Sequence, residues 1–242
     1  MKKMISFLTL AVLLMQACNK NSNDEVAEYI IEANNIEGAE NLISIIARTV
    51  MENRIGTIIA VAFFENSGFT LRLPSILPDK LLVPAADKTT QGVFISDPLA
   101  NWAFLNFSIN TVDNSNLPFY SILHDDSHIQ SDGIASKKVV YVYADRHVTL
   151  SGETSWIYNT LPIDWFGVPT SQQFEFIDTY DHLALSAGWN KICLEETVNQ
   201  TVKPFTLYRT YSMKNTNDCR WNLQIFQFEE EYTYYTRWNI ER

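Results

Sequence analysis

The 242-residue chain sets 18 basic against 28 acidic residues, a formal net charge of −10, which argues against nucleic acid and against electrostatic docking on an anionic lipid surface. Nearly half of its residues are hydrophobic, enough for one large core, yet no apolar run beyond the first residues has the length of a spanning helix. Only 8 glycines are present and no glycine-rich phosphate loop.

The chain opens on Lys2 and Lys3, followed by an uncharged apolar stretch from Ile5 to Met15. That stretch is well short of the ~20 residues needed to cross a bilayer and has the layout of an export signal, so residues 1–17 are expected to be a signal peptide. Met15-Gln16-Ala17-Cys18 resembles the bacterial lipobox: Ala17 matches the small residue before the cysteine, while Met15 and Gln16 depart from the preferred residues. The resemblance implies that Cys18 is acylated, for instance with palmitate, and becomes the new N-terminus. The alternative is an ordinary signal peptide with Cys18 a free thiol. Residues 18–27 then form a polar, acidic tether, and the mature chain holds 16 basic against 28 acidic residues, net −12. The expected address is the outer membrane, on its periplasmic face or, because Asp24 and Glu25 closely follow the anchor, at the cell surface.

From Glu28 the signals are those of strands. "EYIIEANNIEG" opens the series, and "NIEGAENLISIIARTVMENR" is crowded with Ile, Thr and Val, which favours strand over helix. "TIIAVAFF" and "WAFLNFSI" are apolar on both faces, the pattern of buried central strands. "GFTLRLP" alternates, with Phe69, Leu71 and Leu73 on one face. "KVVYVYADRHVTLSG" places Val140, Val142, Ala144, Val148 and Leu150 together. About ten such segments are separated by turn clusters such as "ENSG", "VDNSNLP" and "SDG". The expected fold is all-β, an antiparallel β-sandwich, either as one large domain or as two closely packed parts, 28–136 and 137–242, with no linker of real length between them.

Beyond Cys18 two cysteines remain. In an oxidising compartment Cys193 and Cys219 are candidates for a disulfide. However, Cys193 alternates with Ile192 and Leu194, which puts it on the polar face of its strand, and Cys219 shares a face with Trp221, Leu223 and Ile225.

"GTIIAVAFFENSGFTLRLP" resembles the early strands of carboxypeptidase-regulatory-like β-sandwiches. With "YVYADRHVTLSG", "LSAGWNKICLEE" and Trp221, the order of phrases resembles that of small uncharacterised lipoproteins of Bacteroidota-type bacteria. The resemblance implies a fold and a compartment. It places Gly68 and Gly188 where turns need positive φ and begins a strand at Trp189, but carries no catalytic motif.

Catalytic chemistry finds little support. His124 and His128 form H-x-x-x-H around Asp125 and Asp126, but the flanks are strand-like and a solvated loop is the better reading, so no metal site is assigned. No serine sits in a nucleophile elbow, "LSG" at 150–152 reads as a strand end, and His147 and His182 have no nucleophile partner in sequence. The adjacent acids Glu195-Glu196 and Glu229-Glu230-Glu231 point to alternate faces and cannot form a glycosidase pair by themselves. Aromatic residues are the unusual feature, at 13% with 6 Trp. Trp156 and Trp165 fall in "GETSWIYNTLPIDWFGVP", a segment rich in turn residues, where flat rings could stack on sugars; Tyr232, Tyr234 and Trp238 share one face in the tail and suit a core. The expectation is therefore a non-enzymatic binding or interaction module without a cofactor, facing a glycan or protein partner and held to the membrane by its lipid. The alternative is an accessory glycan-binding lipoprotein with Trp156 and Trp165 as platform. A hydrolase whose carboxylates converge only in the fold is a third class.

Overall fold

β-branched and aromatic runs broken by polar turns produce a nearly pure strand protein, seen in a computed structural model that describes residues 28–50, 56–87, 90–111, 119–125, 135–159, 173–199 and 205–226. Among the described residues are fourteen strands and two single-turn 3-10 helices. No helix among them is long and apolar enough to cross a membrane. The strands are β1 (Tyr29–Ala33), β2 (Leu42–Thr49), β3 (Ile58–Phe63), β4 (Phe69–Leu73), β5 (Val83–Pro84), β6 (Val93–Ile95) and β7 (Asn101–Thr111), followed by β8 (Phe119–Asp125), β9 (Ala135–Ala144), β10 (Val148–Asn159), β11 (Gln173–Leu185), β12 (Gly188–Asn199), β13 (Phe205–Ser212) and β14 (Arg220–Phe226).

β1 and β4 pair with each other as a small antiparallel sheet. The other twelve form one sheet whose main path runs β3-β2-β7-β9-β12-β13-β11-β10-β6. That sheet takes strands from both sides of Ser136, which lies inside β9. It is antiparallel except for β11 and β13, which pair in parallel over eight residues from Phe174↔Phe205 to Asp181↔Ser212. The exception arises because β13 inserts between β11 and β12, and β12 has already reversed the chain.

The small sheet leaves the large one at Glu65-Asn66-Ser67-Gly68. Asn66 and Ser67 have φ of 51° and 58°, and Glu65 and Gly68 exchange both backbone hydrogen bonds, at 2.8 and 3.0 Å, as a two-residue turn with positive φ at both centres does. Gly68 itself is needed for a different reason from the one its place in the turn suggested: a Cβ there would lie 2.3 Å from the Ala33 carbonyl oxygen. Gly188 does sit at positive φ, 95°, and Trp189 follows it as the second residue of β12.

Phe69, Leu71 and Leu73 are buried together and pack with Ile45, Ala47, Leu105, Val139 and Tyr141 of the large sheet. This is the sandwich-like layer. Its rings pack against one another, with Trp221 edge-to-face on Phe69 at 5.0 Å and on Phe107 at 5.3 Å between centroids.

The opposite face of the large sheet is also buried, around Val142, Ala144, Val148, Leu150, Leu183, Leu185 and Ile192. Two observations show how. β9 and β10 are four strand spacings apart in the sheet order, about 19 Å if flat, yet four residue steps join Ala144 to Val148, a reach of at most about 14 Å. Trp102 on β7 and Tyr180 on β11 are likewise four strands apart, and their ring centroids are 6.3 Å apart. The sheet therefore folds over on itself, with β7 and β9 standing across from β10 and β11 around a concave interior.

Two expectations are overturned, one by this double burial and one by sheet order. Cys193 is fully buried, because the face opposite Ile192 and Leu194 is covered by the second layer rather than by water. β3, from "TIIAVAFF", is an edge strand of the large sheet with Val61 and Phe63 exposed, not a buried central one.

Candidate functional site

Cross-strand register assembles a polar row on the concave face. Thr154 on β10 lies opposite Asp178 on β11, Asp178 opposite Arg209 on β13, Arg209 opposite Glu196 on β12, and Glu196 opposite Ser136 on β9. The flanking rows are apolar and aromatic: Trp156, Phe176, Leu207 and Val198 on one side, Tyr180, Tyr211 and Leu194 on the other. Lys138 closes the second row opposite Leu194.

The row is held by two ion pairs. Arg209 donates from Nε and Nη2 to Asp178 at 2.5 and 2.6 Å, a bidentate pair. The side chains are only 11% and 6% exposed. Trp156 Nε1 donates to the same carboxylate at 3.2 Å. Lys138 Nζ donates to Glu196 Oε2 at 2.5 Å, and Ser136 Oγ reaches the same oxygen at 3.5 Å. Burial alone would lower the Arg209 pKa, but electrostatic contact with Tyr211, the hydrogen bonds and charge of Asp178, and the charge of Glu196 outweigh it and move the pKa up. Arg209 is a fixed cation.

Rings frame that cation. Trp156 stacks parallel on Phe176, with centroids 4.1 Å apart and planes 3° apart. The guanidinium carbon lies 5.0 Å from the Phe176 centroid and 5.7 Å from that of Trp156, within cation–π range. Tyr180 and Tyr211 stack at 5.2 Å on the next row.

Trp156 therefore belongs to β10 and not to a turn-rich loop, and it remains partly exposed. Trp165 and Cys18 lie outside the described residues, as do His128, Glu229-Glu230-Glu231, Tyr232, Tyr234 and Trp238.

The candidate bridge between Cys193 and Cys219 is not formed; both are buried thiols. Cys219 Sγ donates to the Lys137 carbonyl at 3.7 Å, while Cys193 lies on β12 between Val139 of β9 and Ser212 of β13. Burial, with the charge of Glu195, pushes the Cys193 thiol pKa up, which makes it a poor nucleophile.

The structure supplies one partner that the sequence did not reveal. Ser151, inside β10 rather than at a strand end, places Oγ 3.1 Å from His182 Nδ1. The two residues face each other where the β10–β11 register slips between Leu150 and Gly152, and His182 takes a φ of 47°. The pair is exposed, and no carboxylate hydrogen-bonds the other imidazole nitrogen, so the orienting member of a triad is absent among the described residues. No cluster of three or more metal-ligating side chains occurs among the described residues either.

No family model, curated protein or solved structure matches the chain.

Proposed function

We propose that the chain is a non-enzymatic binding protein of the cell envelope, tethered to the outer membrane through acylated Cys18, whose ligand enters the concave face of the folded-over sheet. The carrying observation is the Arg209–Asp178 pair: a bidentate ion pair nearly removed from solvent, framed by Trp156, Phe176 and Tyr211. Charges placed there lose hydration, and apolar residues of similar volume would serve stability equally well or better. Convergent polar groups among aromatic side chains are the usual make-up of a ligand site.

A thermal-shift screen of the mature chain against soluble saccharides, peptides, nucleotides and organic acids tests the binding reading. A ligand at a hundredfold excess over its Kd stabilises by about 2.7 kcal/mol, which raises the Tm by roughly 5–10 °C in a domain of this size. At least one class is expected to do so in the wild type and to do so less in Arg209→Lys. A library that moves neither protein overturns the reading. The anchor is tested separately: the intact mass of the mature protein should carry acyl chains on Cys18, and an unmodified Cys18 removes the tether.

A further inference from the structure

Ile76 and Leu99 are the most exposed large apolar side chains among the described residues, at 73% and 72%. Both stand at one pole of the molecule. Asn101 Nδ2 donates to the Leu99 carbonyl, and β7, which begins at Asn101, pairs its Trp102 with Ala144 at the end of β9. Leu77, the neighbour of Ile76, packs with Ala103 of β7 and Tyr143 of β9. The Pro74 carbonyl accepts from Trp189 Nε1 at 2.7 Å, just past the turn into β12. The chain enters the fold at this same pole. Tyr29 opens β1 opposite Leu73, its ring lies 6.5 Å from that of Trp189, and Ile30 beside it is 45% exposed.

Charges around this pole are largely matched. Arg72 pairs with Glu28 at 2.9 Å, and Arg146 with Asp145 at 3.2 Å and Asp97 at 3.7 Å, while Lys80 directly follows Asp79. The chain as a whole carries −10. An acidic protein is repelled by anionic lipid, but a matched pole meets no such obstacle at a zwitterionic surface. Reach selects the same pole. Ten residue steps separate Cys18 from Glu28, at most about 36 Å of chain. β11, 13 residues from Gln173 to Leu185, arrives here from the opposite pole and spans about 40 Å. A tether of that length falls short of bringing the opposite pole down to the bilayer, whereas this one lies within its reach.

We propose that this pole rests on the lipid surface, with Ile76 and Leu99 set into the headgroup boundary of a zwitterionic leaflet. Apolar side chains presented in this way add membrane affinity in proportion to the area they bury. Left in water, they contribute nothing to the fold. The inference rests on the tether through Cys18 and is independent of what the concave face binds.

Lipid cross-linking of the full mature chain provides the test. Unacylated protein, whose Cys193 and Cys219 thiols are buried, is coupled through Cys18 to a maleimide lipid in phosphatidylcholine vesicles. The vesicles also hold a phosphatidylcholine with a carbene precursor high on its acyl chain, and peptide mass spectrometry locates the adducts after illumination. Adducts are expected on peptides carrying Ile76 and Leu99, and not on those carrying Asn159 or Asn199 at the opposite pole. The double variant Ile76→Asp with Leu99→Asp should lower the adducts at this pole about tenfold, since each fully buried Ile or Leu is worth about 1.5–3 kcal/mol of transfer. Both positions are exposed, so the fold should survive, and near-ultraviolet circular dichroism checks that it does. Adducts spread over both poles, concentrated at the opposite one, or absent altogether overturn the proposal. Adducts that persist undiminished in the folded double variant overturn it as well. The synthetic linkage keeps two failures apart: the intact mass of the native protein decides whether Cys18 is acylated, and the adduct map decides which pole meets lipid.

Discussion

β9 is buried on both faces, but by opposite means. Its outward face, through Val139 and Tyr141, meets a dry layer of aliphatic side chains and rings from β1, β4, β7 and β14. Its inward face is equally apolar from Val140 to Ala144, then gives way at Lys138 to the charged row ending on Asp178 and Arg209. The outer face gains from every square ångström it covers and has few polar groups to satisfy. The inner row must recover the hydration it loses through pairing, and paired charges at best break even against apolar replacements. Stability thus explains the outer layer fully and the inner row poorly.

The difference can be broken open by mutation. Phe69→Ala removes a ring at the centre of the outer set, in contact with Phe64 and Trp221, and should cost about 4 kcal/mol in chemical denaturation. A loss under about 1 kcal/mol would mean that the layer repacks around the missing ring. Asp178→Ala should cost slightly less, about 3 kcal/mol, since it strands Arg209 without its partner. The sharper comparison is the double variant Asp178→Leu with Arg209→Met. It should recover most of the wild-type stability while abolishing ligand-induced stabilisation. If the double variant is as unstable as Asp178→Ala, the pair is a structural fixture and the row needs no ligand to account for it.

Strand faces were largely legible in the sequence. The alternation of Phe69, Leu71 and Leu73, and of Val142, Ala144, Val148 and Leu150, is found buried as read, because a strand with one covered face must alternate. Alternation reports only the local strand, however. It assigned Cys193 to a polar face, since Ile192 and Leu194 already accounted for one core and nothing local announces a second layer. It treated "TIIAVAFF" as central, although pairing leaves that strand at an edge. Pro162, Gly167 and Pro169 make the segment around Trp156 look turn-rich, yet β10 continues to Asn159.

The site was less legible because its members are distant in sequence and meet only through register. A signal did exist. "FEFIDTY" and "TLYRTYS" each carry one charge within an otherwise aromatic or aliphatic face: Phe176, Asp178 and Tyr180 against Leu207, Arg209 and Tyr211. Opposite charges at matching steps of two alternating runs suggest neighbouring strands. The parallel pairing that sets them side by side runs against the default expectation for a sheet of short connections.

The smallest expected effect tests how the concave face is closed. Asp145, in the turn that carries the chain from β9 to β10, accepts from the Asn101 backbone N–H at 2.9 Å and from Asn101 Nδ2 at 3.0 Å, and pairs with Arg146. Partial burial tends to raise its pKa, but the Asn101 hydrogen bonds and the Arg146 contact prevail and hold the carboxyl below the ordinary aspartate range. A carboxylate depressed in the folded state contributes stability above its unfolded pKa of about 4 and loses it as the pH falls through the folded value. Asp145→Asn should therefore leave the Tm nearly flat where the wild type declines, from about pH 4 downward, with a shift at neutral pH too small to separate the two by more than a few degrees. Parallel Tm profiles across that acidic range would show that Asp145 does not clamp the turn, and the short link between β9 and β10 would then depend on the apolar contacts of Ala144 and Val148 alone.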